Sequence, residues 1–420
     1  MKLAVPQINA AEEALTRVLT MIQPADAVLH QFFRSHPQLG QHDRAFVAET
    51  VYGVLRHRYG LEHATAADTP RRLLLAYFNR MCGVSLRQLA PLLGQETADW
   101  AATLKAVSGD TTPPLHVSAE LPEWLVTALA VSLAEDEILA LGRALQQPAP
   151  FDLRVNSLLA TRDEVIAQLA AEGCPAQATP YTPVGIRVEG RRALVHHPLF
   201  ESGKIEVQDE GSQLLCYLVA PKRREMVVDF CAGAGGKTLL LGALMHSTGR
   251  LYAFDVSAPR LSRLKMRLKR SGLSNVYPQL LSGTNDNRIA RLAGKIDRVL
   301  VDAPCSGFGT LRRNPDLKWR QPETAIDELR QKQRAILDAA SALVKPGGRL
   351  VYATCSFLRA ENEDVVEAFL AAHAGFRIVP AADILERQHI MLNTGATLRL
   401  YPHRHGCDAF FAAVLERSAA

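Results

Sequence analysis

Apolar residues recur at helical spacing along the first third of the chain. In one such stretch Val47, Val51 and Val54 fall on a single face, as in a helix that buries one side. The alternation of apolar and polar residues that marks a half-buried strand is absent there. The pattern predicts an all-α domain over residues 1–147, with helices at Ala10–Met21, His42–His57, Arg71–Met81 and Trp124–Leu145.

A different pattern begins after Pro148 and Pro150, which mark a boundary. Phe151–Asn156 is predicted as a strand, and Thr161 is a suitable N-cap for a helix over Arg162–Ala171. The segments GIRVEG and KIEVQD add short strands. These elements predict a small α/β module over residues 148–206, of the size of RNA-recognition-motif-like domains. It lacks the aromatic-rich strands with which such domains stack bases.

Arg154 and Asn156 lie on the first strand of this module. They could contact a phosphate or a base of a nucleic acid. They could equally be polar residues at a solvated strand end, and both interpretations stay open.

Strands and helices alternate from residue 207 to residue 420, which predicts a doubly wound, mostly parallel sheet. The predicted strands are Met226–Asp229, Arg250–Asp255, Val276–Leu281, Arg298–Asp302 and Arg349–Thr354. The predicted helices include Gly211–Val219, Ala258–Ser271, Ile326–Leu343 and Glu361–Ala372, and the end of the chain is hairpin-like. The ends of the strands, at Asp229, Asp255, Asp302 and Thr354–Cys355, are then expected along one edge of the sheet.

The stretch VVDFCAGAGGKT, from Val227 to Thr238, predicts a buried strand, a glycine-rich turn and a helix. Glycines permit positive φ and a close approach of the backbone to a ligand. In open α/β sheets cofactors bind at this edge. Asp255 ends the next strand, where a carboxylate accepts hydrogen bonds from a ribose. NAD and S-adenosylmethionine both carry a ribose, and an ordinary tight turn would have the same pattern, so the turn alone does not choose.

Two cysteines make the choice. Cys305, in the sequence DAPCS, and Cys355, in TCS, each follow a predicted strand and face the same crevice. A single cysteine is usually a buried structural residue. Two thiols at the mouth of one cofactor crevice favour chemistry between a thiol and a methyl donor.

Carbon 5 of a pyrimidine is a poor nucleophile. A thiolate that adds to carbon 6 converts the ring to an enamine, whose carbon 5 can attack a sulfonium methyl group. A base must then remove the proton from carbon 5 so that the thiol can leave. A carboxylate near ring N3 would stabilise the protonated ring, and Asp302 suits that role or a contact to the amino group of the cofactor.

Composition narrows the class of protein. The 420 residues are 48% hydrophobic and 22% charged, as in soluble globular proteins. The seven cysteines form no CxxC pair and no zinc-like cluster with histidine, which predicts reduced thiols in a cytoplasm and no metal site. No signal peptide or membrane span is predicted. The net charge of +5 allows a nucleic-acid partner without requiring one.

Four ordered blocks between residues 207 and 415 carry a family resemblance: VVDFCAGAGGKT, DAPCSGFGTLRRNPDLKW, YATCSFLRAENE and LRLYPHRHGCDAFFAAVL. They closely resemble the signature blocks of the RNA 5-methylcytosine methyltransferases of the Sun/Fmu (NOL/NOP) family. The upstream sequences DRAFVAETVYGVLRHR, LPEWLV and QPAPFDLRVN are similar to the NusB-like helical domain and the junction of bacterial members, which methylate small-subunit ribosomal RNA.

The resemblance implies a Rossmann-like class I methyltransferase domain over residues 207–420, with S-adenosylmethionine as cofactor. Cys355 would attack carbon 6 and Cys305 would assist release of the product. Asp255 would hold the ribose and Asp302 would line the methyl-transfer site. The residues implied to wrap the methionine and ribose of the cofactor are Cys231, Ala232, Gly233, Ala234, Gly235, Gly236 and Lys237.

The chain departs from the family pattern at two places. The turn has the sequence CAGAGGK where the family usually has CAAPGGK, so the turn is freer but Ala234 should fit. Near the adenine, where the family usually has an Asp, this chain has Ser282, with Asp286 a few residues on. A serine can still form a hydrogen bond, so we expect weaker or rearranged adenine contacts and retained activity.

The loop Thr310–Arg320 combines basic residues with an aromatic ring. Arg312, Arg313 and Lys318 flank Trp319 in the sequence, a combination that suits a flipped-out strand of RNA. Alternatively, Trp319 covers part of a core.

The sequence therefore predicts a three-domain, monomeric, cytoplasmic RNA cytosine-C5 methyltransferase, with ribosomal RNA as partner and no membrane association. Two alternatives remain: the same chemistry on transfer RNA, and an RNA-binding assembly factor whose methyltransferase fold no longer turns over. A dehydrogenase is disfavoured because the turn lacks GxGxxG spacing.

Overall fold

The computed structural model describes residues 3–92, 100, 112–190, 194 and 196–419. The chain divides into two compact units. One comprises the chain up to Pro148 together with Thr310–Glu323, and the other comprises Ala149–Gly309 and Thr324 onward. The predicted contiguous division at 147/148 therefore omitted a short segment, residues 310–323, that packs with the helical residues. The separation of 148–206 from 207–420 as domains stays a prediction, because both lie in one compact unit.

The first unit is helical in the part of it that the structure describes, as the sequence predicts. Its helices are Val5–Val18, Ala25–Ser35, Gln41–Thr65, Pro70–Arg80, Leu86–Leu89, Leu115–Ala119, Glu123–Ala130, Glu135–Gln146 and, in the returning segment, Leu317–Arg320. Ile8, Leu15 and Val47 are completely buried in its core.

The predicted single helix Trp124–Leu145 is wrong. Two helices occupy this stretch, Glu123–Ala130 and Glu135–Gln146. The second helix begins with three consecutive acidic residues, which are stabilised at a helix N-terminus by the helix dipole. The helical spacing of apolar residues continues across the break between the two helices, so the sequence pattern does not reveal the break.

The second unit contains a small antiparallel sheet. Its strands are β1 (Phe151–Val155), β2 (Ala176–Ala178), β3 (Gly185–Val188) and β4 (Ile205–Val207), in the order β2-β3-β1-β4. The helix Arg162–Ala171 begins with a capping box between Thr161 and Glu164, which confirms the predicted cap. The short helix Pro198–Glu201 precedes β4.

An eight-stranded sheet forms the rest of the unit. Its strands are β5 (Met226–Asp229), β6 (Arg250–Asp255), β7 (Val276–Leu280), β8 (Ile296–Asp302), β9 (Val344–Thr354), β10 (Phe376–Val379), β11 (Leu398–Leu400) and β12 (Phe410–Arg417). The order is β10-β12-β9-β8-β5-β6-β7, with β11 beside β12. The pairs among β5 to β9 are parallel, whereas β10, β11 and β9 pair antiparallel with β12. The predicted doubly wound, mostly parallel sheet is confirmed.

Helices connect these strands. They are Glu210–Val219, Gly236–Leu244, Ala258–Ser271, Asn287–Leu292, Thr324–Ser341, Glu363–Ala372, Ala381–Glu386 and Pro402–His405. The central strands are apolar on both faces: Val227 and Leu300 pack in one core cluster and Val228 and Val299 in another. Burial on both faces is the reason that these strands are continuous runs of β-branched and aliphatic residues. Within the described residues, every helix is too short or too polar to cross a bilayer.

Candidate active site

A cavity of about 650 Å³ lies at the carboxyl ends of the parallel strands. Its wall includes Asp229 after β5, Asp255 after β6, Asp302 after β8 and Cys355 after β9. The predicted edge of strand ends is therefore confirmed. A cavity of this size suits a small-molecule cofactor.

The glycine turn between β5 and the helix Gly236–Leu244 forms one side of the cavity. Gly233 has φ +55° and Gly235 has φ +88°, which are left-handed conformations that favour glycine. A Cβ atom on Gly235 would lie only 2.1 Å from Leu264 Cδ1, so packing also requires glycine there. Residues of the turn that line the cavity are Cys231, Ala232, Gly233, Ala234, Gly236 and Lys237.

Asp255 is fixed by backbone hydrogen bonds. The Gly233 amide donates to Oδ2 at 2.8 Å, and the Ser257 amide donates to Oδ1 at 2.7 Å. The carboxylate therefore joins the glycine turn to the start of the next helix. Carboxylate oxygens accept more than one hydrogen bond, so Asp255 can still bind ribose hydroxyls.

Lys237 and Asp302 form an ion pair on the cavity wall. Lys237 Nζ lies 2.6 Å from Asp302 Oδ2. Burial alone would lower the pKa of Lys237, but the attraction of the Asp302 carboxylate outweighs it and raises the pKa above its ordinary value. Lys237 therefore remains charged and holds one oxygen of Asp302.

Asp229 was placed at a strand end by the sequence but was not assigned to the site. The Thr238 hydroxyl donates to its Oδ2 at 2.7 Å, while its buried Oδ1 has no hydrogen-bond partner among the described residues. Burial raises the pKa of Asp229 to about 7. A buried acceptor without a partner is costly unless a ligand supplies a donor. The amino group of S-adenosylmethionine is such a donor.

The two candidate thiols meet in the cavity. Cys305 Sγ and Cys355 Sγ are 3.4 Å apart and both residues line the wall. Hydrogen bonding to Cys355, together with burial, raises the pKa of Cys305 well above its ordinary value. Cys305 therefore keeps its proton at neutral pH and can donate a hydrogen bond to the sulfur of Cys355.

Glu361 joins the two cysteine loops and was missed by the sequence. Its fully buried carboxylate accepts the amide of Ser306 at 2.8 Å, and the hydroxyl groups of Ser306 and Ser356 at 2.5 Å each. Gln333 Nε2 donates to it at 3.0 Å. These serines directly follow the two cysteines. The sequence signal that could have identified Glu361 is its place in the block YATCSFLRAENE. Its polarity alone predicts a residue on the surface.

Arg154 and Asn156 are both buried, so neither interpretation left open for them, a contact with nucleic acid or a solvated strand end, describes their side chains. Arg154 is 2% exposed, and its guanidinium donates to Gln208 Oε1 and to the Gly236 carbonyl, both at 2.6 Å. Asn156 is also buried and donates to the Ser271 carbonyl at 2.8 Å. Both side chains serve contacts inside the second unit, which leaves neither accessible to a phosphate.

The RNA role predicted for Lys318 and Arg312 is also wrong, since both are only 6% exposed. Lys318 Nζ donates to the carbonyls of Arg56 and Glu120, at 2.9 and 2.8 Å. Burial lowers the pKa of Lys318 to about 8. The segment packs on the helical core, so its cations are enclosed there. Arg313 is half-buried, and its contact with RNA stays a prediction.

The structure agrees with the alternative interpretation of Trp319, in which its ring covers part of a core. Its ring stacks on Tyr59 with a centroid distance of 4.2 Å and packs against the core of the first unit. The guanidinium of Arg58 lies over the Trp319 ring, 4.6 Å from its centroid.

Ser282 is not part of the cavity wall, and its contact with the adenine stays a prediction. Ser282 is exposed, and its hydroxyl donates to Asp286 Oδ2 at 3.1 Å. The cavity wall in this stretch is formed by Leu281, Gly283 and Thr284. The chain bends at Gly283, and the Ser282 side chain is directed toward Asp286, the N-cap residue of the helix Asn287–Leu292.

Sequence comparison finds two family matches. The family described as 16S rRNA methyltransferase RsmB/F matches residues 216–416, and the RsmF/B-like ferredoxin-like domain matches residues 121–194. A ribosomal RNA small subunit methyltransferase B from Shewanella oneidensis is 32% identical over 89% of this chain and 90% of its own. The protein of the same name from Photorhabdus laumondii is 33% identical over 84% and 78%.

Solved structures share the fold. The crystal structure of PH0851 is similar with a TM-score of 0.79 at 29% identity, over 99% of this chain and all of the other. The structure of NSun6 from Pyrococcus horikoshii with SFG has a TM-score of 0.63 at 22% identity, over 71% of this chain and 99% of the other.

Proposed function

Since this chain belongs to the RsmB/F family of 16S rRNA methyltransferases, we propose that it methylates carbon 5 of a cytosine in small-subunit ribosomal RNA through a covalent thiol adduct. S-adenosylmethionine is the methyl donor. The observation that carries the proposal is the pair of thiols 3.4 Å apart on the wall of the cofactor cavity.

The residues of the cavity fit this cofactor. The left-handed glycines bring the backbone of the turn to the ligand, Asp255 offers a carboxylate to the ribose, and Asp229 offers an unpaired buried oxygen to the amino group. When bound, the cofactor supplies an electrophilic methyl group on a sulfonium.

The thiols divide the work. The thiolate of Cys355 adds to carbon 6 of the cytosine, which makes carbon 5 nucleophilic. After methylation a base removes the carbon 5 proton, the carbon 5–carbon 6 double bond re-forms, and Cys355 leaves with the electron pair of the carbon–sulfur bond. Cys305, protonated because its pKa is raised, donates a hydrogen bond to that leaving sulfur. The assignment of Cys355 as the nucleophile is supported by its TCS block, the position that the family resemblance gives to the attacking thiol.

Asp302 acts from the same wall. Lys237 binds Oδ2 of Asp302. The other carboxylate oxygen of Asp302 can accept a hydrogen bond either from protonated ring N3 of the cytosine or from the amino group of the cofactor. Asp302→Asn separates these roles. If the variant loses S-adenosylmethionine binding, the carboxylate contacts the cofactor. If its rate falls while cofactor binding is unchanged, the carboxylate contacts ring N3 of the cytosine.

Ribosomal RNA is favoured over transfer RNA because the relatives that span nearly the whole chain are named for the small subunit. An assembly factor without turnover is disfavoured because both thiols and the ion pair of Lys237 are in place. Further, we propose that the protein is a monomer and that it acts in the cytoplasm. The seven free cysteines, which suit a reducing compartment, support the location. Light scattering of the purified chain tests the oligomeric state.

Bisulfite mapping tests the function. Small-subunit ribosomal RNA from cells with and without the protein should differ at one or a few cytosines. Unmethylated ribosomal RNA should accept a labelled methyl group from S-adenosylmethionine in vitro, and transfer RNA should not. Methylation of transfer RNA alone would overturn the assignment of substrate, and no methylation of either RNA would overturn the activity.

A further inference from the structure

Two neighbouring strands of the small sheet each contain a buried charged residue that is linked by hydrogen bonds to the glycine turn. Arg154 on β1 and Glu206 on β4 are cross-strand partners in the antiparallel register. Arg154 is 2% exposed and Glu206 is 4% exposed. Buried charges are unfavourable unless each is paired and hydrogen-bonded, so the burial of this pair requires a structural reason.

Arg154 reaches the turn directly. Its Nη1 donates to the Gly236 carbonyl at 2.6 Å, where the helix Gly236–Leu244 begins, and to Gln208 Oε1 at 2.6 Å. Gln208 and Gly236 line the cofactor cavity, and Arg154 stands behind them. Burial lowers the pKa of Arg154 to about 10, so it remains charged at neutral pH.

Glu206 reaches the turn through a second arginine. Its Oε2 accepts from Arg267 Nη2 at 2.8 Å and from Nε at 3.2 Å, and its Oε1 accepts from Arg270 Nη2 at 2.8 Å. Arg267 Nη1 then donates to the Ala234 carbonyl at 2.8 Å. The carboxylate therefore fixes the guanidinium that holds the middle of the turn.

The turn needs support from outside. Gly233 and Gly235 are in left-handed conformations on either side of Ala234, and glycine loses more conformational entropy on ordering than any other residue. The position of Ala234 has no proline ring to restrict φ. Three amides of the turn are bonded: that of Ala232 to the Phe254 carbonyl, that of Gly233 to Asp255, and that of Gly235 to the Ala232 carbonyl. The carbonyls of Ala234 and Gly236 are held by the two arginines.

We propose that the β1–β4 pair of the small sheet is a positioning element of the cofactor site. Arg154 directly, and Glu206 through Arg267, hold the carbonyls of Gly236 and Ala234 and so preorganise the turn for the methionine and ribose of S-adenosylmethionine. The inference rests on the proposed function for the identity of the ligand. Arg154 is a positioning residue, because it acts on the cofactor through the turn.

The residue directly after β1 offers a matched control. Asn156 is buried, and its side-chain amide donates to the Ser271 carbonyl at the end of the helix Ala258–Ser271, away from the turn. Arg154→Met keeps the apolar stem and removes the guanidinium. Asn156→Ala removes hydrogen bonds to the carbonyls of Ser271 and Gly203 and from the amide of Leu158, none of which reaches the turn.

Calorimetric titration with S-adenosylmethionine and hydrogen exchange of the Gly233 and Gly235 amides test the proposal. Arg154→Met should weaken binding about tenfold, the size expected for losing a hydrogen bond from a charged group. It should also speed exchange of both amides in the absence of cofactor. Its KM for the cofactor should rise much more than its kcat falls. Asn156→Ala should leave binding and exchange near wild type.

Glu206→Gln provides a second, independent variant. The amide side chain that it introduces has only one acceptor oxygen where two arginines bind two, so exchange at the turn should speed and affinity should fall, though less than in Arg154→Met. Unchanged affinity in Arg154→Met, or an equal loss in Asn156→Ala, would overturn the proposal. If the wild type bound no S-adenosylmethionine, the proposed function would fail, while amide exchange would still decide whether the arginines order the turn.

Discussion

At the scale of single residues, the contact between Cys305 and Cys355 brings two thiols with different proposed roles within 3.4 Å of each other. The hydrogen bond with Cys355 and burial raise the pKa of Cys305 above its ordinary value, and a thiol that keeps its proton is a poor nucleophile. Cys355→Ala should therefore abolish methylation and form no covalent adduct with RNA. Cys305→Ala should add to the base and transfer methyl but release slowly. Denaturing electrophoresis should show a protein–RNA adduct for Cys305→Ala.

The opposite pattern would make Cys305 the nucleophile. A double variant lacking both thiols controls for non-covalent RNA that survives the gel. Activity retained in both single variants would remove the covalent mechanism altogether.

Glu361 is expected to affect rate and not cofactor binding. The two serine hydroxyls share Oε2 of Glu361, and the Ser306 amide and Gln333 share Oε1, so in Glu361→Gln one of these two pairs of donors faces an amino group and loses its acceptor. A buried donor without an acceptor costs about 1–3 kcal/mol. The kcat should fall at least tenfold while the Kd of S-adenosylmethionine stays constant. Glu363→Gln is the control, since Glu363 pairs with Arg399 instead; an equal fall in kcat there would contradict the role of Glu361.

Asp229 makes the stability of the cofactor-free protein depend on pH. Its pKa is about 7 in the folded protein and about 3.9 in an unfolded chain. Between these values the folded state binds the extra proton, so this group's contribution to stability is present below about pH 4 and is lost as the pH rises through about 7. In Asp229→Asn that loss should disappear. Parallel denaturant titrations at pH 5 and pH 8 measure the difference, and identical pH slopes for the two proteins would contradict it.

At the scale of elements, sequence reasoning is limited because the polarity of a residue predicts only whether it is buried or exposed. The parallel strands and the glycine turn could be predicted, because apolar runs and left-handed glycines have local causes. Lys318, Arg154 and Glu361 could not, because a charged residue predicts exposure unless its partner is known. Most of the partners, such as Glu120 for Lys318 and Ser306 for Glu361, lie far away in the sequence. Only the tertiary structure brings them together.

The buried ammonium of Lys318 predicts a structural effect of the returning segment. Lys318→Met removes the donor to two carbonyls and leaves the Glu120 carboxylate, 3.6 Å from Nζ, without its cation. Breaking a buried pair costs about 3–5 kcal/mol, so the free energy of unfolding should fall by about that amount. The salt dependence of RNA binding should not change. A log–log slope smaller by about 0.7 would instead indicate a lost phosphate contact.

At the scale of the whole molecule, the two compact units are interleaved along the chain. Residues 310–323 belong to the helical unit although both flanking segments belong to the other. A fragment of residues 149–420 would carry this segment without the core on which Trp319 packs. We expect that fragment to be less stable and to aggregate. Replacing residues 310–323 in it with a glycine–serine linker should restore solubility, as measured by light scattering. If the unmodified fragment is equally soluble, the segment does not depend on the helical core.

The interleaving also sets an order of events during synthesis. The helical residues up to Pro148 leave the ribosome about 160 residues before the segment that contains Asp316, Lys318 and Trp319. At roughly 5–20 residues per second, that interval is on the order of ten to thirty seconds. During it the Ala25 amide lacks the Asp316 carboxylate that accepts from it at 3.2 Å, and the Glu120 carbonyl lacks Lys318. The nascent helical unit therefore lacks both partners until translation has passed residue 323, and a ribosome that stalls before residue 310 leaves the unit unfinished.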